Sequence, residues 1–372
     1  MNLEDIYRIY KRNPSVQTDT RKLKEGDLFM ALKGPNFNGN EFVRLALDQG
    51  AAFAIVDEAL PFTDDRLIKT ENVLLTLQEL SKYHRLVLER DGGERSPSFL
   101  AITGSNGKTT TKELINKVLS TKYKTYATRG NLNNHIGVPL TILEIRPDVE
   151  IAVIEMGANH LGEIAGYCEY AMPTHGMITN CGKAHLEGFG SVENVKKGKG
   201  ELFQYLRAHD RTVFVNADDA SVVSLASGIE KSIFYGSNGK NVSGVILESD
   251  PFIQVSINSS TPFSFRTNLV GNYNFSNLLA AVSIGRYFKV EDKTIKEAIE
   301  SYFPTNSRSQ LLQLGSNLII SDTYNANPGS MKAAIENFAA MNGDKKILML
   351  GSMKELGDQS DEEHTAVISL IE

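Results

Sequence analysis

The sequence predicts an α/β protein built around a mostly parallel sheet, with a smaller α/β unit ahead of it and a third unit behind. Three observations carry this. Short apolar runs alternate with helical segments from Phe99 onward, the order that lays strands side by side under helices on both faces. A glycine-rich loop, Gly104-Ser105-Asn106-Gly107-Lys108-Thr109-Thr110, falls between one such run and the helix after it. The length, 372 residues at roughly 150 per domain, suffices for two or three domains that each bury a core.

The elements follow in chain order. Within residues 1–92, Leu28-Phe29-Met30-Ala31-Leu32 reads as a buried strand ended by Gly34-Pro35, Phe42 to Leu47 as a helix and Ala52 to Asp57 as a second strand. The stretch Asp91 to Ser98, rich in Gly, Ser and charge, is the expected linker. Phe99 to Thr103, Ile151 to Met156, Met177 to Thr179 and Thr212 to Val215 read as successive buried strands, with a helix from Lys108 to Thr121. Val245, Leu247, Ile253, Val255 and Ile257 alternate with polar neighbours, which predicts an antiparallel meander over 243–270; Asn274 to Phe288 then reads as a core helix. A third unit begins near Pro304. Leu318 to Asp322 and Ile347 to Leu350 read as strands, Ser330 to Met341 as the helix between them, and His364 to Ile371 as a further helix. Two strand–helix pairs are few for a parallel domain, so this unit is expected to be incomplete. The expected domains are 1–92, 93–304 and 305–372.

Composition narrows the function. Apolar residues make up 41% and charged residues 23%, too apolar for disorder. Lys plus Arg number 39 against 45 Asp plus Glu, a net charge of −6, which disfavours a nucleic-acid-binding face but permits local cationic pockets. No run approaches the ~18 apolar residues of a membrane span, and Met1 to Ile6 lacks the basic-then-apolar layout of a secretory signal. Cys168 and Cys181 give neither a disulfide framework nor zinc spacing. A cytoplasmic, monomeric protein is expected.

The glycine-rich loop has the strand-before, helix-after context of a phosphate loop. Glycines let several N–H groups point at one anion, and the helix start adds roughly half a positive charge. Lys108 is placed to reach the β and γ phosphates and the Thr109 hydroxyl to ligate magnesium. Ile102 stands where the general pattern needs its first glycine, so the loop is the shorter G-x-x-G-K-T form. Glu155 ends an apolar strand, where open α/β sheets place their ligands; it is either a magnesium ligand or a charged strand exit. His185, in the loop Asn180 to Gly190, is either a metal ligand or a hydrogen-bonded loop histidine. Nothing in Lys196-Lys197-Gly198-Lys199-Gly200-Glu201 separates Lys199 from its neighbours.

Taken together and in order, these segments resemble the Mur ligase family, ATP-dependent enzymes that build the peptide of the bacterial cell-wall precursor. Gln17-Thr18-Asp19-Thr20-Arg21 and Phe29 to Gly34 are similar to a UDP-binding amino-terminal domain, which implies substrate contacts at Thr18, Thr20, Arg21 and Lys33. Gly130 to Pro139 resembles the loop that faces phosphates and substrate, implying Asn131, Asn133 and Asn134. Glu155 and His185 fall where the family holds magnesium, and Lys199 where it carbamylates a lysine. Gly271 to Asn277 is similar to a nucleotide-contacting segment, implying Asn274 and Asn277, although Tyr273 stands in place of the usual His. Arg308 matches an arginine that approaches the γ-phosphate and Asp322 a ribose-contacting acid. Ser321 to Met331, with Asn325 and Asn327, together with Gly351 to Gly357 and His364, resembles the dipeptide-adding branch. The Asp-Asn-Pro-Arg type of motif of the amino-acid-adding branch is absent.

The resemblance implies a Rossmann-like carboxy-terminal domain and a ligase that uses ATP and magnesium, two ions in all. Such a ligase is expected to join D-alanyl-D-alanine to a UDP-N-acetylmuramoyl-tripeptide through an acyl phosphate, in peptidoglycan synthesis. Lys108, Lys199, His185 and Arg308 would form the catalytic set, with the third domain swinging over the central one. A folylpolyglutamate synthase-like enzyme shares this chemistry, but Thr18 to Arg21 and Tyr324 to Pro328 argue against it. A nucleotide-dependent switch leaves Asn131 to Pro139 and Asn325 to Pro328 unexplained.

Overall fold

A computed structural model describes residues 1–305, 307–343 and 345–372. The chain forms two compact units: Met1–Pro97 with Thr128–Glu150 and Gly166–Met172, and Ser98–Ala127 with Ile151–Ala165 and Pro173–Glu372.

The first unit holds a parallel sheet of β1 (Val16–Gln17), β2 (Leu28–Met30), β5 (Phe53–Val56) and β6 (Leu67–Lys69), in that order, beside a small hairpin of β3 (Lys33–Gly34) and β4 (Phe37–Asn38). The pleat explains why Leu28 to Met30 are all apolar. Leu28 and Met30 face a core with Ile6, Tyr10, Leu77 and Leu80, whereas Phe29 faces a second core with Val43, Ala46 and Leu47. Helices α1 (Leu3–Arg12) and α3 (Val73–Gly92) supply the first core and α2 (Val43–Asp48) the second. Asn2 and Asn72 cap α1 and α3 with side-chain oxygens. The expected linker at 91–98 is largely ordered. The buried stripe of α3 carries the helix to Gly92, one 3-10 turn follows at Gly93–Arg95, and the next strand starts at Ser98. His84 ties α3 to the later segment that carries α5 (Gly137–Leu143). Its Nε2 bonds the carbonyl of Ile145 at 2.8 Å, and its Nδ1 meets the Tyr7 hydroxyl at 3.0 Å. Arg85 donates to the carbonyls of Ala171 and Met172, at the end of α6 (Glu163–Ala171).

The second unit is organised by one nine-stranded sheet. Its strands are β7 (Ser98–Thr103), β8 (Thr125–Ala127), β9 (Ile151–Glu155), β10 (His175–Ile178), β11 (Thr212–Asn216), β12 (Ser232–Gly236), β13 (Val242–Glu248), β14 (Phe252–Asn258) and β15 (Phe263–Val270). The order across the sheet is β15-β14-β13-β12-β11-β10-β7-β9-β8. Pairing is parallel from β8 to β13, and antiparallel only for β13–β14 and β14–β15. The predicted meander therefore extends the parallel sheet. Helices α4 (Lys108–Leu119), α10 (Phe275–Tyr287) and α11 (Asp292–Glu300) pack into the sheet's large core. On α8 (Val192–Ala208), Leu202 and Leu206 lie so close to Gly176 that a Cβ there would sit 2.6 Å from Leu206. A short α9 (Ala220–Ala226) packs near β11.

Beyond residue 304, β16 (Gln310–Leu314) and β17 (Asn317–Ser321) form an antiparallel hairpin, and α12 (Pro328–Ala340) packs on α13 (Ser360–Ile371). Two expectations change here. The strand at Leu318 pairs with an unforeseen local partner across a Gly315 turn with φ +61°. Ile347 to Leu350 is not a strand: Ile347 is 79% and Met349 93% exposed, and no strand among the described residues offers this segment a ladder.

Candidate active site

Three parallel neighbours, β7, β9 and β10, end at one edge of the sheet and deliver the site. From β7 comes the phosphate loop. Gly104 has φ +141° and a Cβ there would meet the Thr179 hydroxyl at 2.0 Å; Gly107 has φ +80° and a Cβ there would meet Asn277 Oδ1 at 2.8 Å. Both positions demand glycine sterically as well as conformationally. From β10, Asn180 braces the loop. Its carbonyl accepts from Ser105 N–H at 3.0 Å, its Oδ1 from Asn106 N–H at 3.1 Å, and its Nδ2 donates to the Asn106 carbonyl at 3.0 Å. The Ser105 hydroxyl donates to the Gly182 carbonyl. The first-turn N–H groups of α4, including those of buried Thr109 and Thr110, have no intrahelical acceptor and so form the anion cradle.

The Lys108 ammonium rests on the loop's own carbonyls, 2.7 Å from Gly104 O and 3.0 Å from Ser105 O. Burial lowers its pKa, Glu155 opposes that, and the like charge of Arg308 adds to it. Arg308 thus acts on the phosphate-loop lysine from beyond residue 304. Its guanidinium lies 3.7 Å from the Tyr324 ring centre.

From β9 comes Glu155. The Thr109 hydroxyl donates to its Oε1 at 3.2 Å. Adjacent ligands of an octahedral magnesium ion, each at ~2.1 Å, lie about 3 Å apart, so this hydroxyl–carboxylate pair has the spacing of two neighbouring ligand positions. Among the described residues no three His, Cys, Asp or Glu side chains converge on one point. Magnesium fits such a site, since it takes few protein oxygens and fills the rest with water and phosphate.

His185, at φ +54°, precedes α7 (Leu186–Phe189), and its Nδ1 bonds the Glu355 carboxylate. Burial lowers its pKa, Glu355 opposes, and Lys108 and Lys199 reinforce the lowering. Nearby, Lys183 pairs with Glu363 at 2.5 Å. Lys199, inside α8, is fully buried. Its Nζ donates to the Ala158 carbonyl at 2.8 Å and lies 5.1 Å from the Phe189 ring centre. Burial, then the charge of Lys108, push its pKa down to about 7.

Asn277 accepts from the Thr111 hydroxyl and donates to Asn274 Oδ1, and Asn274 donates to the Val270 carbonyl, so Asn274 locks the Asn277 amide that sits beside Gly107. Tyr273 shares a 2.8 Å hydrogen bond with the Ser309 hydroxyl, and Ser309 in turn bonds Asp322. Asn327 caps α12 in a reciprocal capping box with Ser330. Its amide also exchanges two bonds with the amide of Asn106, at 2.6 and 3.3 Å. Asn325 is exposed and accepts from Ala326 N–H. His364 accepts from Met353 N–H, which holds residues 351–357 to α13.

The remaining sequence-derived candidates belong to the first unit. Thr18 and Thr20 are half-buried. Thr20 opens a 3-10 turn capped by Asp19, which also binds the Arg21 guanidinium twice. Lys33 pairs with Asp57 and Glu58, each at 2.9 Å. Asn131 is exposed and Asn133 half-buried; Asn134 Oδ1 accepts from Ile136 and Gly137 N–H groups at the start of α5. Sequence reasoning missed Asn180, Lys112 and Glu355, whose roles depend on contacts 74, 43 and 170 residues away along the chain.

Comparison with known proteins fits this geometry. Residues 102–285 match the Mur ligase middle domain and residues 307–372 the Mur ligase glutamate ligase domain. The UDP-N-acetylmuramoyl-tripeptide–D-alanyl-D-alanine ligase of Bacillus subtilis is 36% identical over 319 residues, covering 85% of this chain and 68% of its own length. The chain belongs to the Mur ligase family. The enzyme of the same name from Escherichia coli is 36% identical over 333 residues, 85% of this chain and 70% of its own length. Among solved Mur ligases, MurF from Acinetobacter baumannii superposes with a TM-score of 0.86 at 30% identity, over 97% of this chain and 81% of that one. MurF from Thermotoga maritima, in complex with ADP, gives 0.82 at 27% identity, over 96% and 82%.

Proposed function

We propose that this Mur ligase joins D-alanyl-D-alanine to UDP-N-acetylmuramoyl-tripeptide at the expense of ATP, yielding ADP and phosphate. The observation that carries the reading is a glycine-rich strand–helix loop beside a hydroxyl–carboxylate pair, in a chain 36% identical to two ligases named for that activity.

The chemistry follows from charge. A carboxylate oxygen of the tripeptide attacks the γ-phosphorus of ATP, the bond to the bridging oxygen breaks and ADP leaves. The amine of D-alanyl-D-alanine attacks the resulting acyl carbon, the carbon–oxygen bond to phosphate breaks and the nitrogen loses a proton. Two anions meet in the first step, so cations dominate catalysis. Lys108 exchanges its loop carbonyls for phosphate oxygens, and Arg308 adds charge on the γ side. Asn274 and Asn277 keep the loop curled around the nucleotide, with Asp322 assigned to the ribose. Thr109 and Glu155 would hold magnesium, which when bound offsets phosphate charge. In the first unit, Thr18, Thr20, Arg21, Lys33, Asn131, Asn133 and Asn134 are assigned to the UDP-linked substrate, with Asn325 and Asn327 on the peptide side.

Lys199 is read as a carbamate-forming lysine. Its burial favours the neutral amine, which can add to CO₂; a nitrogen–carbon bond forms, one N–H proton leaves and an anion replaces a cation. That anion and His185 would suit a second magnesium ion. A cytoplasmic location fits the ATP and UDP-linked substrates, and no helix among the described residues is long and apolar enough to cross a membrane.

A coupled phosphate-release assay tests the reading. Release that requires UDP-N-acetylmuramoyl-tripeptide, D-alanyl-D-alanine and ATP together is expected; release indifferent to the two peptides contradicts it. Lys199→Ala is expected to lose turnover and to regain part of it with short carboxylates. Full activity without rescue removes Lys199 from the mechanism.

A further inference from the structure

A buried lysine that the reaction scheme leaves idle sits against the Glu155 carboxylate. Lys112 lies one helical turn beyond Lys108 on α4 and so shares its face of the helix. Its side chain is only 3% exposed, and Nζ stands 3.4 Å from Oε2 of Glu155, itself 1% exposed. The two oxygens of this carboxylate therefore have different neighbours: Oε1 receives the Thr109 hydroxyl and Oε2 faces the Lys112 ammonium. An ammonium this deeply buried is costly unless a specific anion compensates it, and Glu155 is such an anion.

We propose that Lys112 is a positioning residue for the magnesium site. It holds Oε2 from behind, so that Oε1 stays turned toward the Thr109 hydroxyl and the pair keeps ligand spacing before the metal arrives. The cation and the metal then occupy opposite oxygens of one carboxylate, which limits their repulsion. This rests on the reading of Thr109 and Glu155 as metal ligands. It adds a residue outside the ligand set that fixes a ligand's orientation, a kind of residue whose loss typically weakens metal binding about 10- to 100-fold.

The test uses the full chain, with ADP as nucleotide and Mn²⁺ as a magnetic stand-in for magnesium. ADP affinity is measured by calorimetry with and without Mn²⁺, and bound Mn²⁺ by electron paramagnetic resonance. In the unsubstituted protein Mn²⁺ should tighten ADP binding. In Lys112→Met that metal-dependent gain should fall about tenfold, with metal-free ADP affinity unchanged. Lys112→Arg, which keeps the charge, should recover most of it. If Lys112→Met melts, Lys112→Gln carries the same comparison. An unchanged or tighter Mn²⁺ affinity in the uncharged variants overturns the proposal and leaves the metal pair standing. Absence of any metal-dependent gain in the unsubstituted protein removes the pair itself and this inference with it.

Discussion

At the scale of single residues, burial decides which groups ionise. His84 is buried, with Nε2–H donating to the Ile145 carbonyl and Nδ1 sharing a hydrogen bond with the Tyr7 hydroxyl, an arrangement the neutral ring satisfies fully. Burial pushes its pKa down to about 4, and His175 is lowered to about 4 for the same reason. The unfolded chain takes up a proton on each ring as pH falls through about 6.5, while the folded chain refuses it until about 4. Stability should therefore fall across that window and level off below it, by up to about 3 kcal/mol per ring. Urea denaturation from pH 7 to 4 should show a shallower decline for His84→Gln than for the unsubstituted protein; equal slopes would place the acid sensitivity elsewhere. Lys108 and Thr109 were legible from sequence because a glycine loop and the helix after it form a local pattern. Lys112 and Asn180 were not, since a lysine within a helix or an asparagine in a loop acquires its role only from a strand or loop distant in sequence. Cys181, which has neither a disulfide framework nor zinc spacing, is half-buried, and burial pushes its thiol pKa up to about 12, which disfavours the reactive thiolate.

At the scale of elements, the start of α4 and the start of α12 meet through the amides of Asn106 and Asn327. Asn327→Ala removes a helix cap and one half of that contact, so α12 should lose about 1 kcal/mol from the cap alone. If the contact steadies the phosphate loop, ADP affinity should fall as well; a stability loss with unchanged affinity would confine Asn327 to capping. Gly107→Ala meets both the positive φ and the Asn277 oxygen, and should abolish nucleotide binding while the sheet stays folded, read by calorimetry beside circular dichroism. Strands buried on both faces, such as β7 and β9, were readable as continuous apolar runs. The run Ile347 to Leu350 looks the same in sequence, yet is not a strand, because an apolar run specifies burial only where a ladder partner exists. The unforeseen strand Gln310–Leu314 lacks a buried face, so no periodicity marked it.

At the scale of the whole molecule, the order of strands explains the site. Placing β7 between β10 and β9 sets a glycine loop, a brace and a carboxylate at one carboxyl edge, although they come from residues 104–110, 179–182 and 155. The alternation of strands and helices made the parallel sheet legible, but not the order of its strands, which rests on long-range pairing. The segment beyond residue 304 adds Arg308 near Lys108 and Glu355 beside His185, so residues far apart in sequence meet around the loop. The central claim is that the loop hands the γ-phosphoryl group of ATP to the acid end of a peptide. Labelling that terminal carboxylate with ¹⁸O and analysing the released phosphate by mass spectrometry tests it most directly. Phosphate carrying one ¹⁸O atom per turnover is the expected result; unlabelled phosphate, with the label retained in the peptide product or lost to water, would contradict it.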